Sequence, residues 1–323
     1  MQIKSPVFII GCPRSGTTLL STILASSPEL WASYRESHYL WEKFLPDPRD
    51  WIFSMYMGAE DFKPEDRKYL DNQYHKFTFN NKSCADIIRW IFLSNRFKAQ
   101  LKPLHEAFSE LIVKPIKSLW VNEYRVLDKT PPNTYRVSYL AEAYPDAKFI
   151  YIVREGKTNI SSLIEGWRSE KRFNFSFRKF WDYNKRLKIK GYNGKVWKFT
   201  NPPGWEAYLD KSLEEVCAFQ WLSAHKHTQE SLSKIDPKRW TQIRYEDLIS
   251  NPEKYIRELC MFIDIPFEGE IKKQAEDLPV VSTNTKPDPD KWKKNAELLA
   301  NIEPMIQSMQ EKLGYQTSKS LQI

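Results

Sequence analysis

The chain has 323 residues, of which 41% are hydrophobic and 28% are charged, enough to bury a substantial core as one large α/β domain or two small ones. Its formal net charge is +8, and no apolar run approaches the roughly 20 residues of a membrane-spanning helix. Its four cysteines have no paired short spacing, which argues against a disulfide framework and favours a reducing, cytoplasmic location.

Four short apolar stretches predict the strands of a buried sheet. Each is followed by polar residues or by a helical pattern, as in parallel strands that are joined by crossover helices. The predicted strands cover residues 7–10, 30–32, 149–153 and 241–245. The apolar run of the first, "PVFII", is shorter than the roughly 7 to 15 residues of a secretory signal core. The expected fold class is α/β, with a P-loop-type parallel sheet flanked by helices.

Helices are predicted where apolar residues recur at i, i+1, i+4 and i+5. One helix follows the first strand, and another begins at Pro252 after Asn251. Two more cover residues 213–231 and 295–313, and Gly314 ends the last of them.

Two long stretches break this alternation, residues 46–116 and 169–210. The first is mainly helical in pattern, and the second is basic, aromatic and interrupted by "NPPGW". Long connections in compact domains tend to be functional, so both insertions are predicted to cover a site. No internal repeat is visible, and residues 1–323 are expected to form a single domain.

The stretch "GCPRSGTTLL" follows the first strand and begins a helix. Gly11 and Gly16 have the G-x-x-x-x-G spacing of a phosphate-binding loop, but Thr17 stands where nucleotide hydrolases carry lysine, and Arg14 lies inside the loop. Backbone N–H groups converge in such a turn and favour an anion. A tight turn without a ligand is the structural alternative.

The strand "KFIYIVRE" ends in a cation instead of a metal-binding acid. Arg154 closes it, and Ser162 lies eight residues further, about two turns into a helix that Thr158 or Asn159 begins. A guanidinium group and a hydroxyl so placed can hold one phosphate, although a surface ion pair is the structural alternative for Arg154. At this strand end the sequence has Arg154 in place of an acid that would bind the metal of a triphosphate reaction. A small ligand with an anion at each end fits both sites instead.

Five blocks of the sequence, in the expected order, resemble the sulfotransferase superfamily: "GCPRSGTTLL", "DKTPPN", "FIYIVREGKTNISSL", "IRYEDLISNP" and "VSTNTKPDPDKW". The resemblance is greater to the branch of protein-tyrosine and many bacterial sulfotransferases than to the cytosolic phenol and steroid enzymes. It implies transfer of a sulfuryl group from 3′-phosphoadenosine 5′-phosphosulfate to an acceptor hydroxyl, with no metal required. A P-loop kinase and a non-catalytic nucleotide-binding module are the alternatives.

The resemblance also implies which residues bind the donor. The first loop holds the 5′-phosphosulfate, Arg154 and Ser162 hold the 3′-phosphate, and Tyr245 lies beside the adenine. Lys291 contacts a donor phosphate, and Ser282, counted with the catalytic groups, lies in a C-terminal loop that closes over the donor. That loop is also consistent with a solvated connection. The donor-binding residues of the first loop are Cys12, Pro13, Arg14, Ser15, Gly16, Thr17 and Thr18.

The chemistry implied by the resemblance needs a base and cations around the transferring group. Glu36 is the predicted general base, and burial next to a cleft is expected to raise its pKa into a useful range. His38 is the second candidate for the base. Lys129 is predicted to lie near the bridging oxygen, where Arg14 and Thr17 assist it. The structural alternatives are an ion pair for Glu36 and an exposed turn lysine for Lys129.

One position departs from the family pattern. The tyrosine-modifying relatives carry a further arginine one helical turn after the serine that binds the 3′-phosphate. This sequence has Gly166 there and Arg168 two residues later, so the role of Arg168 is left open.

The acceptor is predicted only by class, as a small molecule, a glycan or a lipid. Residues 168–198 carry 11 Lys or Arg but two acidic residues, and aromatic residues are interleaved with the cations. Such a segment can stack sugars or bases, contact an anionic membrane surface, or pack its aromatic side chains inward over a cleft. No recognised nucleic-acid-binding motif supports a nucleic-acid partner.

Overall fold

The computed structural model describes residues 2–32, 36–44, 54–79, 123–169, 187–194, 196–281 and 290–316. Seven strands lie in these residues: β1 (Gln2–Ile3), β2 (Val7–Ile10), β3 (Trp31–Ala32), β4 (Glu123–Tyr124), β5 (Val126–Asp128), β6 (Lys148–Val153) and β7 (Trp240–Arg244). Five of them form one parallel sheet in the order β3-β5-β2-β6-β7, and β1 pairs with β4 in a second parallel sheet.

Nine α-helices lie in the same part of the chain: α1 (Thr17–Leu24), α2 (Pro64–Phe79), α3 (Val137–Ala143), α4 (Gly156–Arg168), α5 (Leu213–Leu232), α6 (Tyr245–Ser250), α7 (Pro252–Phe262), α8 (Gly269–Glu276) and α9 (Ala296–Lys312). Local sequence explains several of their starts. Ser212 and Glu215 form a capping box at α5, and the side chain of Asn251 caps α7 at Lys254 N–H.

The central strands β2 and β6 are buried on both faces, which explains why they are apolar almost throughout. Alternate side chains enter two separate cores. One core contains residues of β2 and β6 together with residues of α4, α5 and α9: Phe8, Ile10, Phe149, Tyr151, Val153, Ile160, Trp221 and Ile302. The other contains the intervening strand residues and residues of α1, α7 and α8: Val7, Ile9, Ile150, Ile152, Leu20, Ile256 and Ile271.

This architecture confirms the predicted fold class, an α/β fold with a parallel sheet flanked by helices. All four predicted strands are present, and four of their eight bounds are shifted by one residue. The second strand in the sheet order, β5, is absent from the prediction because only Val126 and Leu127 in it are apolar, too few for a recognisable apolar run. Tyr245 begins α6 instead of ending β7, and α9 continues through Pro304.

The two predicted insertions lie only partly in the described residues. Within residues 46–116, the segment 54–79 is described, and α2 agrees with the helical pattern there. Within residues 169–210, the described parts are Ser169, 187–194 and 196–210, with a short 3-10 turn at Trp205–Tyr208. That the insertions cover a site, and that residues 1–323 form one domain, stay predictions. No helix in the described ranges is both long and apolar enough to cross a bilayer.

Candidate active site

The loop between β2 and α1 contains two residues in the left-handed region of backbone conformation, Arg14 with φ 71° and Gly16 with φ 99°. Gly16 is the N-cap of α1, and no side chain bonds the first-turn N–H groups of that helix. These groups have no partner inside the helix, so they are directed at whatever lies in front of it. A Cβ at position 16 would lie 2.3 Å from the Tyr245 ring, so only glycine permits this approach.

The loop side chains fit an anion better than they fit a dry turn. Ser15 is fully buried, and its Oγ has no hydrogen-bond partner in the described part of the chain. A buried hydroxyl without a partner costs free energy, which a bound oxyanion would recover. Thr17 is buried and Thr18 half-buried at the first turn of α1. Cys12 packs into the core, where burial raises the pKa of its thiol, so only its backbone faces the loop.

Arg14 of the phosphate loop, Arg154 after β6 and Ser162 of α4 lie next to one another. Arg14 Nε donates to Ser162 Oγ at 3.2 Å, and Arg154 Nη1 donates to the Arg14 carbonyl at 3.0 Å. Burial and the neighbouring positive charge of Arg154 lower the pKa of Arg14. Two guanidinium groups held this close repel each other, and an anion between them would relieve the repulsion.

Tyr245 links this pair to the phosphate loop. Its half-buried ring lies against the Gly16 backbone, and the guanidinium carbon of Arg154 is 4.6 Å from the ring centroid. A flat aromatic surface therefore adjoins both the phosphate loop and Arg154. This placement is compatible with the predicted adenine contact, which stays a prediction.

Unlike α1, the helix α4 has its N-terminus closed by its own chain. The Glu155 carboxylate accepts hydrogen bonds from the N–H groups of Lys157 and Thr158, at 3.0 and 2.7 Å. The predicted start at Thr158 or Asn159 is therefore wrong by two to three residues, because Glu155 acts as N-cap and Gly156 already belongs to the helix. An anion here must be bound by side chains, since these N–H groups are occupied.

Glu36 lies between a lysine and a histidine. Lys129 Nζ donates to Glu36 Oε1 at 2.6 Å, and His38 Nε2 is 2.7 Å from Glu36 Oε2. Burial alone would raise the pKa of Glu36, but the positive charge of Lys129 and the bonds from both neighbours lower it to about 2. The expected upward shift is therefore wrong, because the predicted catalytic lysine is itself the ion-pair partner.

A buried carboxylate, Asp128, holds the loops that carry Glu36 and Lys129. Its two oxygens accept hydrogen bonds from four side chains at 2.7 to 2.9 Å: Ser37, Thr130, Tyr74 and Asn133. Ser37 N–H also donates to Thr130 Oγ1 at 2.7 Å. Because Ser37 follows Glu36 and Asp128 precedes Lys129, this network fixes the two functional side chains relative to each other.

Lys291 and Arg168 lie at the C-terminal part of α4. Lys291 Nζ is 2.6 Å from Glu165, which lies one turn after Ser162. Gly166 is required by packing, because a Cβ there would meet the Phe199 ring at 2.5 Å. Arg168, two residues later, points elsewhere. Its Nη1 donates to Asn295 Oδ1 at 3.4 Å. Ser282 lies outside the described residues.

Five of the candidate positions follow the carboxyl ends of the five sheet strands. Because the strands are parallel, these ends meet at one edge of the sheet. In the spatial order β3-β5-β2-β6-β7 the edge carries, in turn, Glu36, Lys129, the phosphate loop, Arg154 and Tyr245. The topology thus places the predicted base, the predicted cations and the two anion positions side by side.

A model of the sulfotransferase family matches residues 6–269. The chain belongs to the sulfotransferase family. This confirms the resemblance that the five sequence blocks carry. The matched range includes every candidate residue named above except Ser282 and Lys291.

Two curated relatives come from the branch of the sulfotransferase family that the sequence resembles. The chain is 21% identical over 270 residues to a protein-tyrosine sulfotransferase of Drosophila melanogaster, and this match covers 84% of this chain and 40% of the relative. It is 21% identical over 277 residues to omega-hydroxy-beta-dihydromenaquinone-9 sulfotransferase Stf3 of Mycobacterium bovis, which covers 80% of this chain and 63% of the relative. The chain thus spans less than two thirds of the length of either relative.

Among solved structures, the sulfotransferase domain from the curacin biosynthetic pathway superimposes with a TM-score of 0.51 at 20% identity. The match covers 98% of this chain and 99% of that domain. At this identity the likeness supports the fold alone, and the arrangement of the site rests on the contacts described above.

Three residues that organise this site are missing from the sequence-based prediction of functional residues. Asp128 is visible in "DKTPPN", but only its four partners reveal its function. Asn159 is fully buried, and its Nδ2 donates to the Pro13 carbonyl at 2.9 Å, which joins α4 to the phosphate loop. Glu155 has the position of an N-cap in "REGKTN", a signal that was available. In the described ranges, no three His, Cys, Asp or Glu residues are grouped as metal ligands.

Proposed function

We propose that this protein transfers a sulfuryl group from 3′-phosphoadenosine 5′-phosphosulfate to an acceptor hydroxyl. The observation that carries the proposal is the position of Arg14. Its backbone belongs to the phosphate loop, its carbonyl accepts from Arg154, and its guanidinium contacts Ser162. Two anion positions joined in this way suit one small ligand with a phosphate at one end and a phosphosulfate at the other.

In this proposal, the donor lies along the carboxyl edge of the sheet. The 5′-phosphosulfate is bound by the N–H groups at the start of α1 and by the hydroxyls of Ser15, Thr17 and Thr18. Arg154 and Ser162 bind the 3′-phosphate, and Tyr245 contacts the adenine. Lys291 contacts a donor phosphate, and Ser282, which lies outside the described residues, belongs to the same proposal.

The transfer itself needs a proton acceptor and a cation at the leaving oxygen. Glu36 accepts the proton of the acceptor hydroxyl while the hydroxyl oxygen forms a bond to sulfur. The bond between sulfur and the bridging oxygen breaks, and that oxygen leaves with its electron pair on the 5′-phosphate. Lys129, with Arg14, stabilises the charge that develops there, an effect of preorganised electrostatics.

The ion pair between Glu36 and Lys129 provides an order of events for this chemistry. While Lys129 stays on Glu36, the low pKa of the carboxyl makes it a poor base. When the donor binds, its bridging region competes for Lys129. Glu36 then loses its strongest stabilising partner while it stays partly buried, and its pKa rises. The base is therefore activated when the donor is in place.

For the acceptor we propose a hydroxyl of a small molecule, a glycan or a lipid. The mycobacterial relative is named for a hydroxylated menaquinone, and the fly relative for protein tyrosine. A lipid acceptor agrees with the aromatic and cationic composition of residues 168–198, most of which lie outside the described residues. Contact of that segment with an anionic membrane surface belongs to the same proposal.

The proposal is tested by nucleotide binding, measured as the shift of the unfolding temperature. We expect adenosine 3′,5′-bisphosphate to stabilise the native chain, since a ligand that binds only the folded state raises its free energy of unfolding. Arg154→Ala should remove most of this shift, whereas Arg257→Ala, an exposed arginine on α7, should leave it intact. Stabilisation by ATP with Mg²⁺ and none by the bisphosphate would indicate a kinase and contradict the proposal.

Transfer is then measured with radiolabelled donor against an extract of the producing cells. Appearance of label in an organic or macromolecular product supports the enzyme assignment. Tight binding of the bisphosphate without any labelled product would indicate a binding module instead.

A further inference from the structure

A segment outside the matched family range runs along α4. We call residues 290–316 the C-terminal strap. Its contacts with α4 include four ion pairs or hydrogen bonds of 2.6 to 2.9 Å, in the order Lys291 with Glu165, Asn295 with Ser161, Glu303 with Lys157, and Gln310 with Gly156. Partner numbers on α4 fall as strap numbers rise, so the two run antiparallel. The strap ends at the turn that follows Arg154.

That turn is held by two side chains from distant parts of the chain. Gly156 N–H donates to Gln310 Oε1 at 2.9 Å, and Glu155 N–H donates to Glu246 Oε1 at 3.0 Å. Glu246 is in turn held by the strap, because Tyr315 OH donates to Glu246 Oε2 at 2.8 Å. The two backbone N–H groups directly after Arg154 are therefore both oriented, one by the strap itself and one through Tyr315.

The hydrogen bond between Gln310 and Gly156 is buried and closely packed, so neither group can move far. Gln310 is only 4% exposed, although glutamine is a polar residue, and a Cβ at position 156 would lie 3.0 Å from its Oε1. A buried backbone N–H that loses its partner costs free energy, so the hydrogen bond to Gln310 stabilises this conformation of the turn. Because Arg154 immediately precedes this turn, the direction in which its side chain leaves β6 depends on the same contacts.

We propose that Gln310, supported by Tyr315, positions Arg154 for the 3′-phosphate and so gives the site its preference for 3′-phosphorylated adenosine nucleotides. This inference rests on the proposed function. Gln310 is a positioning residue: it acts through the backbone of the turn. A cation that is already oriented loses less conformational entropy when the phosphate binds, which increases affinity for that phosphate alone.

The test compares two ligands that differ only in the 3′-phosphate, adenosine 3′,5′-bisphosphate and adenosine 5′-monophosphate. Dissociation constants are measured by calorimetry for the full chain and for Gln310→Met, which preserves side-chain size but cannot accept the Gly156 N–H bond. Gln307→Met is the matched control on the same helix, because Gln307 donates to Glu311 in an exposed hydrogen bond away from α4. Tyr315→Phe is a second variant, which removes only the hydroxyl that holds Glu246.

We expect Gln310→Met to weaken bisphosphate binding about tenfold, or about 1.4 kcal/mol, as for the loss of one oriented contact. Binding of the monophosphate should change less than about twofold. Tyr315→Phe should change the two affinities in the same unequal way, and Gln307→Met should change neither. Equal weakening of both ligands, or no weakening in either variant, would overturn the inference and leave the proposed function standing.

A native chain that does not prefer the bisphosphate over the monophosphate would overturn the proposed function and this inference together. If Gln310→Met does not fold, as judged from its unfolding curve without ligand, the ratio of affinities in Tyr315→Phe decides the question. The decisive measurement is the ratio of the two dissociation constants, monophosphate over bisphosphate. A general loss of stability would weaken the binding of both nucleotides alike and leave this ratio unchanged.

Discussion

At the scale of single residues, Glu36 shows how one contact reverses the effect of burial. Its side chain is 21% exposed, an environment that disfavours a charge. The Lys129 ammonium at 2.6 Å and the bond from His38 outweigh this effect and lower the pKa to about 2. Burial and charge pairing therefore act in opposite directions, and pairing is larger.

Replacing the lysine should remove much of this shift. In Lys129→Met the desolvation of Glu36 and the bond from His38 remain and the attraction of Lys129 is gone, so we expect the pKa of Glu36 to rise from about 2 towards the ordinary value of 4.5. The measurement is a carbon NMR titration of glutamate-labelled protein, in which Glu36→Gln identifies the resonance. A Glu36 pKa that stays near 2 in Lys129→Met would show that Lys129 is not the cause.

The same shift predicts how stability depends on pH. The pKa of Glu36 in the folded chain lies below the value of about 4.5 for the unfolded chain, so ionised Glu36 stabilises the fold above that pH. This contribution is lost as the pH falls from about 4.5 towards 2. In Lys129→Met this contribution should shrink, because the pKa of Glu36 in the folded chain moves towards its unfolded value. Urea unfolding at pH 5 and pH 3 of both forms measures the difference.

At the scale of elements, α1 and α4 use their termini in opposite ways. The N-terminus of α1 has no side-chain cap, whereas that of α4 is closed by Glu155 and Gln310. The C-terminus of α4 is closed as well, because Lys198 Nζ donates to the carbonyls of Gly166, Trp167 and Ser169 at 2.6 to 3.3 Å. A cation on the last carbonyls satisfies them and interacts favourably with the helix dipole.

We expect Lys198→Met to lower the free energy of unfolding by about 2 kcal/mol, since buried carbonyls lose a charged donor. Lys198 is 4% exposed, and the replacement keeps most of its apolar stem. Lys188→Met, at an exposed position on the same connection, is the matched control and should change stability little. Equal stability of the two variants in urea unfolding would show that the cap contributes nothing.

At the scale of the whole molecule, charge and topology act on the same edge of the sheet. The net charge of +8 attracts anionic ligands over a distance, and Arg14, Lys129 and Arg154 concentrate positive charge where the strands end. The strand order sets the sequence of functional groups along that edge. Long-range attraction and local binding therefore favour the same ligand class.

This arrangement predicts that association with the donor depends on salt. Charges further apart than about 10 Å are largely screened at 0.1 M ionic strength, so the association rate of adenosine 3′,5′-bisphosphate should fall as salt is added. Stopped-flow tryptophan fluorescence measures the rate. Neutral adenosine is the matched probe, and its association rate should be independent of salt. Equal salt dependence of the two ligands would contradict an electrostatic contribution to encounter.

The sequence by itself determined the features that lie in one continuous stretch. The phosphate loop, with its strand before it and its helix after it, follows from glycine spacing and apolar periodicity. Arg154 and Ser162 follow in the same way from one strand and one helix. The general fold class is legible for this reason, since each strand and helix is specified mainly by its own residues.

Only the tertiary structure decided the features that join distant stretches. Glu36 and Lys129 are 93 residues apart in sequence, and their pairing reversed the expected pKa shift. The same holds for the bonds of Asp128 with Ser37 and Tyr74, which are 91 and 54 residues away, and for Gln310, which is 154 residues from Gly156. Such contacts depend on how the strands are ordered in the sheet. Local propensity contains no information about that order, because it results from packing the whole chain around a shared core.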